Sequence, residues 1–149
     1  MSEWEGELKN TISRIFFGLI LVAAIFQLST CKLQQLAQAS DGFKEGDYLY
    51  YYLFIDDEIK NIPRINNDYY FEFSAMDGPK PEVSRIVFSG GGGINAVEAY
   101  LLSVGYHLGD ADPGKGQKIY QSWHKRSPST DEIRLFVAED SVTIEKYKY

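Results

Sequence analysis

The sequence predicts an α+β fold: an antiparallel sheet of about five to six strands with one packed helix, in the order β-β-β-α-β-β-β, preceded by an N-terminal hydrophobic signal or anchor helix. Three observations predict it. Several segments beyond Gly46 are apolar at every second residue. One segment between Asn95 and Leu108 instead carries a single apolar stripe at helical spacing. A continuous apolar run stands ahead of both.

That run, residues 15–28, reads IFFGLILVAAIFQL, fourteen residues broken only by Gln27. It is shorter than the roughly 20 residues of a spanning helix and matches a signal-peptide core of about 7–15. Arg14 precedes it, and it closes on Leu28-Ser29-Thr30-Cys31. This ending resembles a bacterial lipobox, which implies cleavage just before Cys31 and lipid attachment to that residue. Thr30 departs from the pattern, since Gly, Ala or Ser usually stands there. As an uncleaved anchor, residues 11–33 form a slightly polar spanning helix with Lys9 and Arg14 on the cytoplasmic side. A surface helix of a soluble protein would show a polar face, which residues 15–26 lack. In either membrane-bound form the rest of the chain is expected on the periplasmic side of a bacterial envelope, and several acyl chains hold far more firmly than one. Residues 1–14 carry Glu3, Glu5 and Glu7 against Lys9 and Arg14, a net charge of −1 where a signal begins positive. A start at Leu8 restores an ordinary leader, so residues 1–7 are expected to be an over-extended gene start.

Residues 32–45 (KLQQLAQASDGFKE) read as a polar linker, leaving residues 46–149, 104 in all, as the exported domain. That length supports one modest core. Residues 47–55 alternate Tyr48, Tyr50, Tyr52 and Phe54 with Leu49, Tyr51, Leu53 and Ile55, predicting a strand apolar on both faces. Asp56, Asp57 and Glu58 mark a turn. Residues 69–74 and 83–89 follow as strands, separated by a Gly- and Pro-bearing loop at 76–81. Asn95 is the expected N-cap of the helix, with Val97, Tyr100, Leu101, Val104 and Leu108 as its stripe and Gly105 as its C′ residue. After a loop at 110–116, strands are expected at 118–124, 132–138 and 142–147, the last two joined by a hairpin-length turn.

Composition narrows the chemistry. The chain has 15 Lys and Arg against 21 Asp and Glu, a net charge of −6, and a pI near 4.9, which argues against a nucleic-acid partner. Its single Cys excludes an intrachain disulfide and a cysteine zinc cluster. The glycines at 90–93 lack the Gly-Lys-Ser/Thr ending of a phosphate loop and read as a strand-to-helix connection. His107, at the helix end, and His124, at a strand end, are the only histidines, and neither falls in a metal-binding spacing. No G-x-S-x-G elbow is present, and residues 56–58 lack the alternating oxygens of a calcium loop. No catalytic set, metal or cofactor is expected. Partner contacts are assigned to Asp56, Asp57, Glu58, Tyr48 and Tyr50, and to the basic-aromatic group Trp123, Lys125 and Arg126.

The expected function is that of a small membrane-tethered periplasmic domain that binds another protein. The general layout resembles that of periplasmic immunity lipoproteins, which neutralise delivered toxins, and of small envelope-assembly accessory lipoproteins. A contrasting expectation is a small hydrolase or ligand-binding domain using His107 or His124 with a carboxylate in a pocket between helix and sheet.

Overall fold

The computed structural model describes residues 2–39, 42–109, 119–126 and 129–149. The chain divides into two compact units, Met1–Leu36 and Ala37–Tyr149. Helix α1 (Ser2–Ala39) contains the apolar run, and residues 14–25 are exposed throughout, Phe17 by 71%. Among the described residues, no helix is long and apolar enough to cross a membrane. The side chains of Thr30 and Cys31, and the loop expected at 110–116, lie outside the described residues.

The second unit carries helices α2 (Tyr48–Phe54) and α3 (Asp57–Lys60), strands β1 (Tyr69–Ser74) and β2 (Glu82–Ser89), and helix α4 (Asn95–Ser103). Strands β3 (Tyr106–Leu108), β4 (Ile119–Lys125), β5 (Glu132–Val137) and β6 (Ser141–Lys148) complete it. The six strands form one antiparallel sheet in the order β1-β2-β6-β5-β4-β3, so the last strand occupies the middle. One face is the core. Phe71, Ile86, Phe88, Ile133, Leu135, Val142 and Ile144 alternate inward from four strands at 0% exposure. Ile59 of α3 and Val97 and Leu101 of α4 cover them, as the helical stripe requires. Each such fully buried apolar side chain stabilises the fold by roughly 1.5–3 kcal/mol.

The expected order needs correction at its first and fourth elements. Residues 48–54 form a helix, not a strand. Every residue there is apolar or aromatic, so a period of two and a period of 3.6 describe the segment equally well. Packing decides for the helix. Tyr51 meets Phe71 edge-on at 5.0 Å, Phe54 stacks on Phe73 at 5.0 Å, and Tyr50 reaches Phe43 at 6.0 Å. The opposite side, Tyr48, Leu49, Tyr52 and Leu53, is exposed. A short strand, β3, follows α4 where the helical stripe was extended to Leu108; that residue is 53% exposed.

Helix α4 ends as expected, with Gly105 at φ +91° and its N–H donating to Leu102 O. Its start lies one residue earlier than expected. Ile94 already has right-handed helical angles and its carbonyl accepts from the Glu98 N–H, so Asn95 is the first helical residue rather than the cap. Within the expected linker, Ala37 and Phe43 are buried, and Phe43 exchanges both backbone hydrogen bonds with Phe71 of β1.

Candidate functional site

Residues 56–58 make a structural hub on the helical side of the sheet. Asp56 caps α3, its Oδ1 accepting from the Glu58 N–H at 2.8 Å. Ser84 of β2 accepts from the Asp56 N–H and donates to Phe54 O, fastening α3 to the sheet. Lys146, a lysine side chain only 5% exposed on the inward face of β6, pairs with Glu58 at 2.7 Å, Asp56 at 3.1 Å and Asp131 at 3.3 Å. Lys148 pairs with Asp56 at 2.8 Å, and Lys125 with Glu58. Tyr106 donates to Glu58 Oε2. Burial pushes the Asp56 and Glu58 carboxyls up, but these lysines outweigh it and hold both below their ordinary values. Burial likewise disfavours the Lys146 ammonium, and its carboxylate partners hold it above the usual lysine range. Of the three acidic residues assigned to partner contact, only Asp57 points into solvent, with a side chain 88% exposed.

The basic-aromatic group divides in the same way. Trp123 is 4% exposed and donates to Gln121 Oε1 at 2.7 Å, whereas Arg126 is exposed. His107 does not end a helix. It lies in β3, opposite His124 of β4. His124 Nε2 stands 3.0 Å from Ser122 Oγ, which donates to Glu132 Oε1 at 2.7 Å. Here the serine joins the histidine to the carboxylate, whereas nucleophilic activation needs the histidine between serine and acid. Among the described residues, no group of three or more His, Cys, Asp and Glu is placed to hold a metal.

A pocket lies on the side of the sheet opposite the helices. Residues alternating with the core line an open face across β1, β2, β6 and β5, holding a cavity of about 990 Å³. Its centre is a cross-strand row of charges in register: Glu72 opposite Arg85, Arg85 opposite Glu145, Glu145 opposite Arg134. Each neighbour in the row is a complement. Arg85 pairs with both Glu72 and Glu145, while Arg134 pairs with Glu132 through hydrogen bonds of 2.8 and 3.0 Å. The Arg134 guanidinium also stacks over Tyr147 at 4.3 Å. Burial and a hydrogen bond to Glu145 push the Tyr147 phenol up to about 12, so it stays a donor at neutral pH. Beside the row, Tyr70, Val87, Thr143 and Phe136 form a second, mostly apolar line in register, half-buried.

Sequence reasoning assigns none of these residues to a site. The one available signal is a charged residue at the outward position of β1, β2, β5 and β6. Only the strand register turns those four positions into a row.

The carboxylates and guanidiniums of the row are paired, and the face offers an open, mixed surface with apolar and ionic strips side by side. Glu72, Glu139, Asp140 and Glu145 against Arg85 and Arg134 give the lining a net charge of −2. No protein-family model matches this chain, and no curated protein or solved structure matches it either.

Proposed function

We propose that the chain is a small binding domain tethered to the bacterial envelope membrane at Cys31, on the periplasmic side, which acts by engaging a basic surface of another protein. The observation that carries the reading is the open sheet face: one side of the sheet is sealed by helices, and the other presents a paired charge row beside an apolar line that none of the second unit's described residues covers. Interfaces combine such an apolar strip with a polar rim, and electrostatic complementarity selects the partner. The acidic lining favours a basic partner, and the cargo beyond Cys31 is acidic as a whole, at −5. Neutralisation of a delivered toxin is the form of this role that we favour.

A photoreactive amino acid at Val87 or Thr143 tests the reading in envelopes that contain the candidate toxin. A discrete cross-linked product from these positions, and none from exposed Asn61 on the helical side, is expected. Equal labelling from all three positions would contradict it.

A further inference from the structure

We infer that the exposed side of α2 is a membrane-docking surface, resting on the bilayer that holds the Cys31 anchor and turning the open sheet face away from it. The inference builds on the tether proposed above and adds an orientation to it. The first observation is the helix itself. Tyr48–Phe54 contains no charged residue, and Tyr48, Leu49, Tyr52 and Leu53 expose 70%, 52%, 64% and 60% of their surface. These four fall at i, i+1, i+4 and i+5, one continuous side of a helix whose other side is spent on Phe43, Phe71 and Phe73. Exposed leucines flanked by tyrosines suit the headgroup boundary, where an aromatic ring is buried and its hydroxyl stays wet.

The second observation is the shortness of the tether. Cys31 precedes Ala37, the first buried residue of the folded unit, by six residues. Six residues span at most roughly 20 Å even when fully extended. Phe43, six residues further on, is fixed to β1 by paired backbone hydrogen bonds and touches Tyr50 of α2. An anchor at Cys31 therefore keeps Ala37 within that reach of the lipid surface, and leaves α2 free to meet the bilayer, where an apolar helix side gains by leaving water.

The third observation is direction. Tyr51 and Phe54 pack α2 on the core face of the sheet, through Phe71 and Phe73. The exposed side of α2 consequently points away from the sheet, and the open face with Arg85 and Arg134 lies on the far side. Docking through α2 leaves the proposed partner surface free. Around the helix, Lys44 and Lys60 are offset by Glu45, Asp47 and Asp57, so docking does not depend on anionic lipid.

The test uses the full acylated chain in phosphatidylcholine vesicles. Because the chain has one native cysteine, consumed by lipid, Leu49→Cys, Leu53→Cys and, as a control, Asp140→Cys each provide a single labelling site for a nitroxide. All three positions are exposed, which protects the fold. Docking predicts that the labels at 49 and 53 collide several-fold less often with a water-soluble nickel complex, and more often with oxygen, than the label at 140. Equal nickel accessibility at all three positions, on chain that floats with the vesicles, overturns the docking and leaves the tether standing. Chain that fails to float with vesicles overturns both.

Discussion

Lys146 Nζ lies 2.7 Å from Glu58 Oε2, 88 residues away in the chain, and only 5% of the lysine side chain meets solvent. This contact joins the last strand to a one-turn helix formed long before it. With Asp56 and Asp131 completing the lysine's surroundings, it explains why the acidic segment 56–58 belongs to the fold rather than to a solvated turn.

Removing the lysine takes away the most buried cation of the hub and leaves Asp56 with Lys148, and Glu58 with Lys125 and Tyr106. Lys146→Met is expected to destabilise the folded unit by about 1–3 kcal/mol at neutral pH. Denaturant unfolding followed by circular dichroism measures it, and the deficit is expected to shrink in acid as Asp56 and Glu58 take up protons.

The same hub sets the acid stability of the native protein. Asp56 and Glu58 are held below their ordinary 3.8 and 4.5, so the folded state binds protons less readily than the unfolded chain. Their contribution is full above the ordinary carboxylate range and is lost as the pH falls through the depressed values. Unfolding midpoints measured in steps below pH 5 are expected to fall, and Asp56→Asn with Glu58→Gln is expected to flatten that dependence. Lys146, held above 10.5, contributes below that value and loses its contribution as the pH rises past its folded value.

Gly42 is required by shape. It has φ +98°, and a Cβ there would sit 2.3 Å from Tyr70 Cδ2. Gly42→Ala is expected to cost about 1–3 kcal/mol through backbone strain and displacement of the ring. Thermal unfolding reads the loss.

On the open face, Arg134→Ala removes the guanidinium that pairs with Glu132 and stacks on Tyr147. The side chain is partly exposed, so a stability change of only about 1 kcal/mol is expected. Exposing the unpaired Glu132 makes the face more acidic. Binding to a basic partner is expected to become faster at low salt and more salt-sensitive, measured as association rates across ionic strength.

Much of the sheet is legible in the sequence. Alternation at Tyr69, Phe71 and Phe73, at Ile86 and Phe88, and at Ile133 and Leu135 locates three strands and their inward faces, because each has a polar residue to mark the other side. Segment 48–55 has no such mark, so its helix emerges only from packing on Phe71 and Phe73. The roles of Asp56 and Glu58 were hidden because their partner, Lys146, is remote in the chain. The open face was hidden for a related reason: Glu72, Arg85, Glu145 and Arg134 become neighbours only once β6 inserts between β2 and β5.

The most direct test of the central claim, a binding domain tethered at Cys31, is intact-mass and peptide analysis of the mature protein taken from the membrane fraction. The predicted result is a chain whose first residue is Cys31 and whose N-terminal peptide carries the added mass of its acyl groups. A mature chain that retains residues 15–30 ahead of an unmodified Cys31 would contradict it.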